Sequence, residues 1–249
     1  MKKQIFFMGA AFAAACIFLG CSVAEEWIGA NKGNDVTQKN SIRQKEDKRH
    51  NMSEVLYQGH GSLRITASDG TVIYIDPFAG DGYDKPADLI LVTHQHSDHN
   101  VFDKPARKAN CVVWQNTDAL IGGKYIAKTF GSVKVEPVPA YNKNHSKDEC
   151  VGYVLYFDGL SVYIAGDTSK TAEMSSLAAK RLDWAFLPCD GVYNMGPAEA
   201  SACAAIIKAK RNVPYHTAPG SLFSRKQAEL FKAEGRVILE AGETLKLQD

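Results

Sequence analysis

The stretch Asp88-Leu89-Ile90-Leu91-Val92-Thr93-His94-Gln95-His96-Ser97-Asp98-His99 decides how this chain is read. An apolar run of strand length ends in a polar loop that packs three imidazoles and a carboxylate into six residues. A strand that stops in a tight loop can aim alternate side chains at one point. Neutral imidazole with carboxylate suits zinc, iron or manganese rather than calcium or magnesium. The plain alternative is a solvated loop that happens to be rich in histidine. The spacing His-x-His-x-Asp-His is far narrower than that reading requires.

Outward from this loop, the sequence from residue 53 reads as one domain of strands and helices. Strands are predicted at 55–57, 62–67 and 72–75, with Ser68-Asp69-Gly70 as a hairpin turn, then at 89–93, 111–114 and 132–137. A second hairpin pairs 152–157 with 160–165 across Asp158-Gly159, and 184–187 reads as a buried strand. Helices are predicted at 117–127, 169–180, 197–210 and 225–234, and the strands 236–240 and 244–247 as a closing pair.

At the histidine-rich loop the chain resembles the metallo-β-lactamase superfamily of metal-dependent hydrolases. Ile75-Asp76-Pro77-Phe78 and the segment from Asp190-Gly191 to Ala200 look like its compact branch related to L-ascorbate-6-phosphate lactonase. The resemblance implies an α/β fold, a four-layer αββα sandwich, and two divalent metal ions, zinc first and manganese or iron next. It implies that His94, His96 and His145 hold one ion, that Asp98, His99 and His216 hold the other, and that Asp167 bridges them. Only seven histidines exist, His50, His60, His94, His96, His99, His145 and His216, and five fall on these positions. Each late candidate also has a local reading: His145 as an exposed loop residue, His216 as a strand-end histidine, Asp167 as a helix cap.

The implied chemistry is hydrolysis by a hydroxide drawn from a water between the ions, with Asp98 both ligand and catalytic group. His60, in Gln58-Gly59-His60-Gly61-Ser62, reads either as a catalytic imidazole facing the substrate or as a packed strand-start residue. The connections between ligand segments leave no room for a cap domain, which favours a small ester, lactone or phosphodiester over a polymer. Lys143, Lys147 and Arg225 could bind an anionic group if they face the site. Asp167, where many β-lactam-cleaving relatives carry cysteine, argues against an antibiotic as substrate. The flavin-linked redox relatives carry an extra domain for which this chain has no segment. A metal-binding envelope lipoprotein without turnover is the remaining alternative.

Composition sets the outer limits. With 249 residues, 45% of them hydrophobic, and 29 basic against 28 acidic side chains, the chain can bury one sizeable core and offers no net field for nucleic acid. Residues 1–20 read as a secretion signal: Lys2 and Lys3 precede an apolar stretch from Ile5 to Leu19. Gly20-Cys21 looks like a bacterial lipoprotein box, so Cys21 is expected to carry a lipid, unless the signal is cut conventionally nearby. The polar residues 21–52 are expected to form a flexible linker, tethering a metallo-hydrolase domain at 53–249 to the cell envelope. Cys111, Cys150, Cys189 and Cys203 show no metal or disulfide spacing and read as buried thiols.

Overall fold

The computed structural model describes residues 52–248, so the leader, Cys21 and all but the last residue of the 21–52 segment lie outside the described residues. Two six-stranded sheets face each other. The first contains β1 (Glu54–Gly59), β2 (Ser62–Thr66), β3 (Val72–Ile75), β4 (Ala87–Val92), β5 (Arg107–Gln115) and β14 (Thr244–Lys246), in the order β14-β1-β2-β3-β4-β5. The second contains β8 (Lys128–Phe130), β9 (Val133–Pro139), β10 (Val151–Phe157), β11 (Leu160–Ile164), β12 (Trp184–Pro188) and β13 (Arg211–Tyr215), in the order β13-β12-β11-β10-β9-β8. A small hairpin of β6 (Leu120–Ile121) and β7 (Lys124–Tyr125) stands apart.

Strand periodicity builds the layers. Val55, Tyr57, Leu63, Ile65, Ile73, Ile75, Leu89 and Leu91 point inward from the first sheet, and Val151, Tyr153, Leu155, Val162, Ile164 and Phe186 answer from the second. The opposite parity of the second sheet, Val154, Tyr163, Ala185 and Leu187, packs against helices. These are α2 (Met174–Leu177) and α3 (Pro197–Ile207), while α1 (Asn116–Ala119) follows β5 and puts Ala119 into the core between the sheets, and α4 (Arg225–Leu230) packs on α3, the longest of the four. Its apolar spacing Ala200, Cys203, Ala204, Ile207 buries one stripe, and Pro197 with Glu199 suits its first turn. Among the described residues the outer face of the first sheet, around Val72, Tyr74 and Ile90, is covered by loop residues such as Tyr83 and Phe102 rather than by helix. The architecture is an α/β sandwich.

Strand direction explains where the site lies. β3-β4-β5 and β11-β12-β13 are parallel within their sheets, and β1 and β9 each lie two antiparallel steps from β3 and β11. The carboxyl ends of β1, β3, β4, β9, β11, β12 and β13 therefore open at one pole, the usual place for a ligand in such sheets. The other pole is fastened by Asp158 in the β10–β11 turn. Its carboxylate accepts from Ser53 Oγ (2.6 Å), Ser68 N (2.7 Å) and Ser68 Oγ (2.6 Å), tying one sheet to the other.

Three predicted elements differ. The helix expected at 169–180 shrinks to α2 and one 3-10 turn, Ala178–Lys180; residues 169–173 lie outside any helix, with the amides of Ser169 and Lys170 bonded to Tyr141 O and Glu199 Oε1. The helix expected at 117–127 is the single turn α1 followed by the β6–β7 hairpin over Gly122-Gly123. Residues 236–240 form no strand: one bridge joins Arg236 to Asn212, and the chain then crosses to deliver β14 to β1.

Candidate metal centre

The loop after β4 carries His94, His96, Asp98 and His99, and its first residue is locked. Thr93 donates its amide (2.7 Å) and its hydroxyl (2.6 Å) to the two oxygens of Asp76 at the end of β3. Three buried tyrosines reach up from the core to hold neighbouring loops. Tyr153 donates to Val92 O (2.8 Å) and Tyr215 to Gly166 O (3.4 Å). Tyr57 donates to His60 O (3.0 Å) and Leu222 O (3.2 Å), and accepts from His216 N (3.2 Å). Of the six non-glycine residues in the left-handed region among the described residues, His60 (φ 51°), Asp76 (φ 45°) and His216 (φ 46°) stand here, where backbone strain commonly collects. Gly166 is required too: a Cβ would lie 2.9 Å from Val151 O and 3.1 Å from Thr93 Cβ, so it lets the Asp167 loop meet the His94 loop.

Each buried histidine of the centre has an oxygen at Nδ1. His94 Nδ1 lies 3.0 Å from Thr93 Oγ1, which itself donates to Asp76, so the ring donates there. His99 Nδ1 is 3.0 Å from Asp76 Oδ2 and His145 Nδ1 3.0 Å from Asn142 Oδ1. His216 Nδ1 is 3.0 Å from Asp190 Oδ2, close but off the line of a well-formed hydrogen bond. All four Nε2 atoms are then turned the same way and lack a hydrogen-bond partner, as does Asp167 Oδ1. Three of them ring Asp167 at 3.6 Å (His99), 3.4 Å (His145) and 3.6 Å (His216). That spread is long for N–H···O bonds and is what a carboxylate and imidazoles present to a cation placed among them. An imidazole whose far nitrogen is held by oxygen is also the usual form of a metal-ligating histidine. The residues present fit metal.

Charge agrees with that fit. Burial, with His99 nearby, pushes His94 down to about 2, and burial lowers His145 as well, so both rings are neutral donors. Burial opposes the charged form of His99 too, but Asp167 and Asp76 outweigh it and hold the ring up at about 9. His216 is raised likewise, by Asp167 and Asp190 against burial. Burial works against ionised Asp167, yet His216 and His99 hold it well below the ordinary carboxylate range. In the absence of metal the protonated His99 ring answers this carboxylate, so binding a cation there displaces a proton.

Among the described residues three groups of three donors lie close enough to share one ion: His94, His96 and His145; His60, His99 and His216; and Asp76, His94 and His99, whose carboxylate is already engaged by Thr93. The first is the set read from the sequence. In the second, His60 stands where Asp98 was expected. The rings of His60 and His216 are 3.8 Å apart, and Asp98 instead bonds His60 Nε2 at 3.0 Å with its side chain 43% exposed. That bond, against burial, keeps the Asp98 carboxyl below its usual range. Gly61 permits the crowding, since a Cβ there would lie 2.6 Å from His99 Cε1. Sequence reasoning missed Asp76, Asp190 and Tyr57. The two carboxylates had a signal: like Asp167, each is a lone acid following an apolar strand at the same pole. Tyr57 is one core tyrosine among several and had none.

Two clefts flank the centre. One, of about 360 Å³, is lined by polar residue types, among them His94, His96, His145, Asn116, Ser146 and Glu149. The other, of about 440 Å³, is lined by His60, Asp98, Phe78, Ala79, Gly80 and the 220–222 segment, and is largely apolar. The three cations considered from sequence lie elsewhere. Lys147 pairs with Glu173, Arg225 with Glu240 and Glu229, and Lys143 lines a separate cleft beside Lys170.

Comparison with known proteins agrees with this geometry. Residues 54–216 match the model of the β-lactamase superfamily domain. A UPF0173 metal-dependent hydrolase of Thermococcus onnurineus is 31% identical, the match covering 79% of this chain and all of the relative. A metal-dependent hydrolase from Parabacteroides distasonis of known structure shares 31% identity with a TM-score of 0.63, covering 77% of this chain and 94% of that one. A metallo hydrolase from Ignicoccus hospitalis, 23% identical with a TM-score of 0.60 over 80% of this chain and 99% of that one, shares the fold. The alternative of a metal-binding protein without turnover finds no support among these relatives.

Proposed function

The chain belongs to the metallo-β-lactamase superfamily of metal-dependent hydrolases, and on that premise we propose that it cleaves a small ester, lactone or phosphodiester using two divalent ions. One observation carries the reading: four buried imidazoles, each with an oxygen at Nδ1, present unpartnered Nε2 atoms around Asp167. His94, His96 and His145 would hold one ion, His99 and His216 the other, and Asp167 would lie between them. Zinc, manganese or iron bound there supplies a water of near-neutral pKa and polarises the scissile oxygen.

The chain's own residues do the rest. Asp76 holds His99 directly and His94 through Thr93, while Asp190 holds His216, so the ligand rings are orientated before substrate arrives. Asp98 is the one carboxylate of the group that reaches solvent, and it closes the second ligand set or receives and returns a proton at Oδ1. His60, bonded through Nε2 to Asp98 Oδ2, fixes the direction of that carboxylate.

The test is elemental analysis of protein purified without chelator, then a hydrolysis screen over lactones, esters and phosphodiesters before and after chelation. The expected result is close to two ions per chain and an activity lost on chelation and restored by one kind of ion. Protein that binds no metal, or that hydrolyses none of the three classes when loaded, would defeat the proposal. For location, the leader sequence supports an exported enzyme tethered to the envelope through a lipid on Cys21, acting on a small molecule and not on nucleic acid. Among the described residues no helix is long and apolar enough to cross a membrane. A Cys21→Ala variant should move from the membrane fraction to the soluble one, and an unchanged distribution would sink the tether.

A further inference from the structure

We infer that the substrate carries an uncharged alkyl arm beside its scissile bond, seated between Phe78 and Leu222, with no anionic group on that arm; this rests on the hydrolytic reading above. The cleft beside His60 and Asp98 is bounded by Phe78, Ala79 and Leu222, and its one charged side chain is the carboxylate of Asp98. No lysine or arginine lines either cleft at the centre among the described residues. A phosphate or carboxylate on the arm, directed away from the ions, would therefore meet like charge with no lysine or arginine to answer it. A volume of about 440 Å³ is within the small-molecule range.

The apolar side chains are exposed on backbone that is held fast. Phe78 is 41% and Leu222 48% exposed. The amide of Phe78 donates to Ser62 Oγ (3.1 Å) and to Tyr83 Oη (3.0 Å), and Ala79 N donates to the same Ser62 Oγ (2.9 Å). Lys104 donates to the carbonyls of Phe78 (2.5 Å) and Gly80 (3.1 Å), so its ammonium braces this loop and is not among the groups that line the cleft. On the opposite wall Leu222 O accepts from His60 N (2.7 Å) and from Tyr57. Neither wall can fold its apolar group away by relaxing the backbone. A pre-formed apolar slot that opens on the reacting groups is matched by an alkyl chain, each added methylene strengthening binding about threefold.

Two readouts separate this inference from the reaction itself. Calorimetric titration of the full protein, metal-free and loaded, with butanamide, hexanamide and octanamide reads the slot without any hydrolysis. Octanamide should bind about tenfold more tightly than hexanamide, and Phe78→Ala or Leu222→Ala should weaken octanamide by about tenfold with the melting temperature retained. The loaded enzyme should then prefer p-nitrophenyl octanoate to its acetate. It should also prefer octanoate, by at least about tenfold in kcat/KM, to the equally long p-nitrophenyl monoester of suberic acid, whose tail ends in a carboxylate. In both variants the octanoate-to-acetate ratio should fall about tenfold. Amides that bind without regard to length, no amide binding at all, or an acid-tailed ester turned over as well as the neutral one would each overturn the inference. Length-dependent amide binding without hydrolysis of any ester would uphold the slot and defeat the reaction; hydrolysis without length preference would do the reverse.

Discussion

The candidate centre has a buried half and an open half, and they are built differently. His94, His99, His145 and His216 are at most 4% exposed, and each has a named oxygen at Nδ1 from Thr93, Asp76, Asn142 or Asp190. His96 faces solvent with only ring neighbours, His94 and His145, and Asp98 is held by a single bond to His60. The buried half is orientated by the fold, because a misplaced imidazole shut away from bulk solvent would lose its hydrogen bonds. The open half is orientated by whatever binds. A hydrolytic site needs both: fixed donors to place ions, and a mobile, wet side to admit water and substrate.

The largest effect should come from the buried carboxylate. Asp167→Asn removes the charge on which three imidazoles converge, and should lower bound metal and turnover by more than the roughly 100-fold seen when an outer partner is lost. Elemental analysis beside kcat/KM checks it, and full metal content in this variant would break the contrast. Next comes the open half: Asp98→Ala should lower turnover by about 100-fold or more while retaining more metal than Asp167→Asn. A wild-type rate would remove Asp98 from the chemistry. Third, Asp76→Asn and Asp190→Asn should each weaken metal affinity by about 10- to 100-fold. Asp76 should be the worse, since it serves His99 and, through Thr93, His94. Equal, negligible effects in titrations with a competing chelator would mean that the Nδ1 partners do not set the ligands.

The smallest effect calibrates the rest. Burial opposes ionised Glu136 on β9, but Lys134, Lys180 and Tyr156 prevail and bring it down to about 2. A carboxylate lowered on folding stabilises the protein above its unfolded value near 4.5, and the contribution fades as pH falls from there through about 2. Because the cluster is largely solvated, Glu136→Gln should flatten the melting-temperature profile in that window by less than about 1 kcal/mol. A loss as large as that of Asp167→Asn at neutral pH would show that exposed and buried charge are not distinguished here.

The buried half was only partly legible in the sequence. His94, His96, Asp98 and His99 could be read because four metal-type residues fall within one loop. His145, Asp167 and His216 could be read only through the resemblance, since each sits alone in a segment with an ordinary local explanation. Asp76 and Asp190 act through histidines 23 and 26 residues away, a pairing that no local pattern encodes. The hairpins at Ser68-Asp69-Gly70 and Asp158-Gly159 were legible because turn chemistry is local. The helix expected at 169–180 begins only at Met174, the preceding residues being spent on reaching Tyr141 and Glu199, partners 28 and 29 residues away that no local pattern shows. The exchange of Asp98 for His60 beside His99 and His216 is likewise a matter of packing, visible only once Gly61 brings β1 and β2 against the His99 ring.

The Asp158 latch joins the sheets at the pole remote from the ligands, one hairpin carboxylate gathering Ser53 and Ser68 from the opposite sheet. The ligand pole is joined too, Tyr153 reaching Val92 O and His216 N reaching Tyr57 Oη and His60 O. Both ends of the sandwich are therefore tied across the sheets, and a variant that lost the hairpin carboxylate would still be held together where the ligands stand.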